Sequence, residues 1–310
     1  MYKSVIPEGK IVVNDVEDLI SHVNVNDYSV ADFSKRKYVN TIITYDSETV
    51  KVIDKDGVVK STQVCHQIAV DDKCMLVRTV DEIMTIFETI RLRLTTPPVK
   101  GKKKNIKAGT RVIIFIHNEH FDMMFLLYKM LEGITECFDL KGKFNRVIWK
   151  DTVEFRDSLS LTGESLSNSI KTYVSDTNIF KTKDWDYDKI RSPLSELTPE
   201  EVDYALMDVI SLVEVIRGVM RMKNVTLANL PISKTSFVKR ALQEACLGPS
   251  SFRYHRNGRR KRFQDFMSTL TLTLKQLYMF KDSYFGGVSD TSPLFCDELV
   301  ENIADYDIGS

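Results

Sequence analysis

The chain has 310 residues, 43% of them apolar, and its 43 basic side chains are balanced by 43 acidic ones. That allows one large or two ordinary domains with a real core, but zero net charge gives no overall pull on a polyanion, so contact with nucleic acid must come from local clusters. No apolar run is long enough for a membrane span, Met1-Tyr2-Lys3-Ser4 lacks the pattern of a secretory leader, and Cys65, Cys74, Cys137, Cys246 and Cys296 show neither zinc nor disulfide spacing; a reduced, cytoplasmic setting is expected.

Residues 1–38 have mixed polarity without periodicity and read as an N-terminal extension of unassigned role. Val39, Ile42, Ile43 and Tyr45 predict a buried strand that ends at Asp46-Ser47-Glu48. Two further strands are expected over 62–70 and 74–80. Ile83, Met84, Ile86, Phe87 and Ile90 then recur at helical spacing behind Asp81 as N-cap. A Pro/Lys-rich loop over 95–110 carries a basic run, Lys100 to Lys107, which fits a solvated loop or a phosphate contact equally.

Arg111 to Ile116 predicts another strand and Phe121 to Leu131 a helix, which puts Asn118 to Asp122 at a strand-to-helix junction. Alternation within 138–160 predicts a hairpin before Asp157-Ser158-Leu159. Thr198, Pro199 and Glu201 supply an N-cap, a first-turn proline and a capping-box acid for a helix that continues to about Met222. Tyr204 and Asp208, four apart, share one face of it. A second basic run extends from Arg253 to Arg262. Strands alternating with helices predict an α/β fold, a mixed sheet flanked by helices, in which acidic side chains converge at strand ends and on a neighbouring helix.

Four carboxylates, Asp46, Glu48, Asp122 and Asp208, thus arrive in three packets, each in a distinct local context. In-line cleavage of a phosphodiester needs charge neutralisation on the attacking and leaving oxygens, which two divalent cations about 4 Å apart supply. Hard cations of the magnesium or manganese kind take oxygen ligands, so an Asp/Glu cage is the protein's expected share. An Asp-x-Glu pair or a Tyr-x-x-x-Asp spacing alone is weak; their order and contexts together carry the reading. The bland alternatives are Asp208 as a solvated helix acid, Tyr204 as a core aromatic and Asn118 as a turn former.

The three packets resemble the Exo I, Exo II and Exo III motifs of the 3′–5′ exonuclease domain of family B DNA polymerases, and most of all those of the protein-primed polymerases of small tailed bacteriophages. The resemblance spans roughly residues 40–310. It is carried by Tyr45-Asp46-Ser47-Glu48-Thr49, by Phe115-Ile116-His117-Asn118-Glu119-His120-Phe121-Asp122 with Phe125, by Asp157-Ser158-Leu159, and by Thr198-Pro199-Glu200-Glu201 with Tyr204 and Asp208. It implies a ribonuclease-H-like exonuclease fold over 39–225, then a linker and the start of a polymerase palm over 226–310.

For the site, the resemblance implies two Mg2+ or Mn2+ ions held by Asp46, Glu48, Asp122 and Asp208, with Tyr204 positioning the attacking water. Thr49, Phe115, His117, Asn118, Phe121, Phe125, Ser158, Leu159 and Tyr187 match positions that grip single-stranded DNA, a task suited to aromatic stacking. Either Lys181 or Lys183 would contact the scissile phosphate. Tyr284, Gly286 and Gly287 match a Tyr-x-Gly-Gly element that holds template, and Asp307 matches the metal-binding aspartate of polymerase motif A.

The implied partners are the 3′ end of single-stranded DNA, primer-template DNA, a C-terminal polymerase polypeptide and a terminal priming protein; no membrane is implied. In a virus the setting would be the host cytoplasm. Because the sequence stops at Ser310, inside motif A, these 310 residues alone are expected not to polymerise DNA. Two rivals stand beside this reading: a stand-alone exonuclease of the same fold, and a catalytically silent DNA-binding or docking module.

Overall fold

The computed structural model describes residues 4–32, 34–53, 57, 59–95, 109–140, 143–180, 185–186, 189, 191, 194–247, 265, 268–269, 273 and 275–276. The chain divides into two compact units, Met1–Lys239 and Arg240–Ser310. In the second, the described residues include a short turn in which Thr273 and Gln276 exchange side-chain and backbone hydrogen bonds.

The elements of the first unit in chain order are β1 (Ile11–Val12), α1 (Val16–Leu19), β2 (Tyr28–Val30), β3 (Lys37–Val39), β4 (Ile43–Ile53), β5 (Val59–Val70), β6 (Lys73–Val77), α2 (Val80–Thr95), β7 (Thr110–Ile116), α3 (Glu119–Met130), β8 (Ile134–Leu140), β9 (Lys143–Trp149), β10 (Val153–Asp157), α4 (Ser158–Thr162), α5 (Leu166–Tyr173) and α6 (Pro199–Lys223), with α7 (Lys234–Leu247) running across the boundary. The sheet order is β1-β6-β5-β4-β7-β10-β9-β8, with β3 joined to β7 and β2 to β3. β4, β7 and β10 run parallel at its centre; β5, β6, β9 and β8 extend it antiparallel.

Strand alternation sorts the core into two layers. Ile43 and Tyr45 of β4 and Val112, Ile114 and Ile116 of β7 face Ile83, Ile86 and Phe87 of α2 and Met123 and Leu126 of α3. Ile113 and Phe115 face the other way, into a core built with Leu206, Met207, Val209 and Ile210 of α6. A strand period of two therefore turns Asp46 and Glu48 toward α6 and Ser47 toward α3. α6 begins with the expected capping box, Glu201 N–H bonding the Thr198 hydroxyl and the Glu201 carboxylate bonding Thr198 N–H. Gly218 admits α5 against it: a Cβ there would lie 2.1 Å from the Tyr173 carbonyl oxygen.

Three local expectations are corrected. The strand carrying Asp46 does not end there but runs on to Ile53, because β5 remains paired to it through a bulge between Glu48 and Thr49. Asp81 is not the cap of α2; Thr79 is, its hydroxyl accepting from Glu82 N–H while the Glu82 carboxylate accepts from Thr79 N–H. The described residues of the first 38 are built into the fold, since β1 pairs with β6 and β3 pairs with both β2 and β7.

Candidate active site

Pairing between β4 and β7 stops at Tyr45 opposite Ile116, whereas β4 and β5 continue as a two-stranded ribbon. β7 thus ends beside the point where β4 presents Asp46 and Glu48, and a cleft of about 310 Å³ opens there. Its walls include Asp46, Glu48 and Thr49 of β4, His117, Asn118, Phe121 and Asp122 around the start of α3, and Tyr204 and Asp208 of α6. Carboxylate oxygens of Asp46, Glu48 and Asp208 lie within 4.8 Å of one another. Asp208 is brought opposite Asp46 by a buried bond from the Thr44 hydroxyl to the Val209 carbonyl, 2.8 Å, which clamps α6 to β4.

Asp122 enters the cleft from the opposite layer. Its carboxylate accepts a 2.5 Å bond from the Ser47 hydroxyl and a second from the Ser47 backbone N–H. The start of α3 is held by Asp157 at the end of β10, which accepts from Asn118 N–H at 3.1 Å and Glu119 N–H at 3.3 Å while capping α4 through Leu159 N–H and Ser160 N–H. Asn118 adopts a left-handed conformation (φ 70°), which asparagine tolerates better than most residues, and so makes the sharp entry into α3.

The electrostatics are one-sided. Burial, then the neighbouring Asp122, Glu48 and Asp208, push the Asp46 carboxyl well above the ordinary carboxylate range, against one amide donor, Gln67, at 2.8 Å. Burial pushes Asp122 up to about 7 despite its bonds from Ser47. No Lys or Arg is among the described residues that line the cleft. Four carboxyls converging in one cleft fit oxygen-ligated divalent cations, since like charges at this range repel unless a countercharge is present.

The remaining predicted residues separate by position. Thr49, His117, Asn118 and Phe121 line the cleft, and Phe121 is 40% exposed with Phe125 edge-on behind it at 5.3 Å between ring centres. Ser158 is wholly buried and bonds His117 Nδ1 at 3.0 Å, so it orients that ring instead of facing the cleft. Leu159 sits half-buried in the first turn of α4. Phe115 is corrected outright: with 1% exposure it is part of the α6-facing core, because its place on β7 has the parity of Ile113. Lys181, Lys183, Tyr187, Tyr284, Gly286, Gly287, Asp307 and both basic runs lie outside the described residues.

Sequence reasoning missed Ser47, Gln67 and Trp185. Ser47 was visible as the middle of Asp46-Ser47-Glu48, and alternation alone puts it on the other face. Gln67 needed the register, which sets it directly opposite Asp46. Trp185 packs on Tyr204 with ring centres 5.7 Å apart and donates its indole N–H to the Thr49 carbonyl at 3.2 Å, bracing one wall of the cleft.

This architecture is a mixed α/β sheet flanked by helices, with three acidic side chains gathered between the central strand and the long helix. Among solved structures, the chain is similar to phi29 DNA polymerase complexed with primer-template DNA and incoming nucleotide, with a TM-score of 0.51 at 14% identity over 83% of this chain and 41% of that one. It therefore spans about two fifths of that polymerase's length. Phi29 DNA polymerase complexed with single-stranded DNA (TM-score 0.48, 12% identity, 67% of this chain and 35% of that) and the RRP6 catalytic core of Trypanosoma brucei (0.38, 16%, 80% and 62%) also match, but at those scores they add nothing to the fold argument. No protein-family model and no curated protein matches the chain. No helix among the described residues is long and apolar enough to cross a membrane.

Proposed function

We propose that this chain is the 3′–5′ proofreading exonuclease portion of a protein-primed family B DNA polymerase, acting on the 3′ end of single-stranded DNA during viral replication in the host cytoplasm. The observation that carries the proposal is the convergence of Asp46, Glu48 and Asp208 oxygens within 4.8 Å, with Asp122 in the same cleft. The fold likeness supports it, as does the aromatic face of Phe121 at the rim.

Asp46, Glu48 and Asp208 would hold one Mg2+ or Mn2+ ion, and Asp122 together with Asp46 the second. Such ions, when bound, lower the pKa of a coordinated water and neutralise charge on the attacking and leaving oxygens. Tyr204, braced by Trp185, orients the attacking water from the α6 side. Phe121 offers a stacking surface for the terminal base, and Phe125 behind it restricts the ring to one stance. His117 and Asn118 provide polar contacts to sugar and phosphate, with His117 steadied by Ser158. The charge on Lys181 or Lys183 stabilises the developing phosphorane charge. Tyr284, Gly286, Gly287 and Asp307 belong, on this reading, to a polymerase half completed by a further polypeptide segment, with primer-template DNA and a terminal priming protein as its partners.

The test is degradation of 5′-labelled single-stranded DNA by the 310-residue chain in Mg2+ or Mn2+. The expected product is a ladder shortening one nucleotide at a time from the 3′ end, abolished by Asp46→Ala with Glu48→Ala. Intact substrate at high enzyme excess overturns the reading, and internal cuts replace it with an endonuclease.

A further inference from the structure

Three of the four site carboxylates share one cluster, whereas Asp122 reaches the same cleft from the α3 side, and its stance has a different origin. Ser47, between Asp46 and Glu48, points to the α3 face and bonds Asp122 at 2.5 Å. Tyr45, two residues earlier on the strand, shares that face. The Tyr45 hydroxyl in turn lies 2.9 Å from His66 Nδ1, and His66 is the direct β5 partner of Ser47. Tyr45 and His66 have no exposed surface and Ser47 and Asp122 have 7% and 3%.

The Ser47 hydroxyl donates to an Asp122 carboxylate oxygen, and the buried side chains of Tyr45 and His66 pack beside it on the same face of the β4–β5 pair.

We propose that Ser47 is a positioning residue that holds Asp122 ready for a second cation that binds more weakly than the one held by Asp46, Glu48 and Asp208. This rests on the nuclease reading above and names the residue on which the second cation position depends. Outer partners of metal ligands typically change affinity by about 10–100-fold when removed.

The test is calorimetric titration of Mn2+ into the full chain without DNA. Wild type is expected to give two binding events. Ser47→Ala should weaken the second by about tenfold or more and leave the first within about threefold. Ser47→Thr, which keeps the hydroxyl, should restore the second event, and Ser47→Val, nearly the same shape without it, should not; this pair carries the comparison should the Ala variant fail to fold. Two wild-type-like events in the Ala or Val variant, or a single event in wild type, overturn the inference and leave the nuclease reading standing. No Mn2+ binding by wild type overturns both.

Discussion

Two groups of buried carboxyls sit in the same sheet and are treated in opposite ways. On β10, Glu154 has no exposed surface, yet Arg156 bonds one of its oxygens at 2.8 Å and Arg111 and Tyr38 bond the other at 3.1 and 3.0 Å. Burial by itself would raise its pKa, but Arg156, Arg146 and Arg111 outweigh burial and hold the carboxyl below the ordinary range. On β4, burial and three neighbouring acids all push Asp46 upward. Glu154 is neutralised by the protein's own cations, whereas Asp46 stands among other carboxyls, an arrangement that on the proposed function suits a divalent cation.

The contrast breaks most visibly at the cleft. Replacing Asp46 and Glu48 together with Ala is expected to lower 3′-end cleavage by about 10³-fold or more, the scale of several kcal/mol of lost charge stabilisation. The melting temperature in chelator should not fall, because the change removes repulsion. A drop in that temperature would mean these acids are structural after all. On β10 the outcome inverts: Glu154→Gln should cost about 3–5 kcal/mol in a urea melt, since it leaves Arg156 buried without its countercharge and Arg111 with Asp151 alone. It should not alter Mn2+ binding.

Glu119 is an intermediate case, a buried carboxyl outside the acidic cleft whose oxygens have neither an Arg nor a hydrogen-bond partner among the described residues. Burial first, then Asp157 and Glu154, raise it from 4.5 to about 8. The folded chain keeps a proton that the unfolded chain releases above about 4.5, so this group favours folding most at acid pH and its contribution is lost as pH rises through about 8. Glu119→Gln should therefore stabilise the chain by a few kcal/mol at most at pH 9 and very little at pH 4, as read by denaturant melts at both. Equal effects at both pH values would refute the protonated state.

The smallest expected effect lies at the rim. Phe121→Ala should weaken binding of single-stranded DNA by about 1–3 kcal/mol, the worth of one stacked base, with turnover at saturation much less affected. A fluorescence binding isotherm indistinguishable from wild type would remove Phe121 from the DNA path.

Much of this was legible residue by residue. Apolar strand-like runs marked β4, β5 and β7 and alternation marked β10, the capping box marked the start of α6 within one residue, and the spacing of Tyr204 and Asp208 put both on the cleft side of that helix. Local signals failed where a partner distant in sequence decided. β4 continues past Asp46 because β5 stays paired to it, and Phe115, in a motif whose neighbours reach the cleft, is core because α6 covers its face of β7.

Local physics, a period of two in strands and near four in helices together with the hydrogen-bonding needs of helix ends, was enough to determine from the sequence the order of elements and the acids worth watching. Only the tertiary structure decided which oxygens meet: Ser47 reaches Asp122 across 75 residues and Thr44 reaches the carbonyl beside Asp208 across 165. Such contacts depend on which strands pair and where β7 stops, and no local repeat in a single chain encodes them.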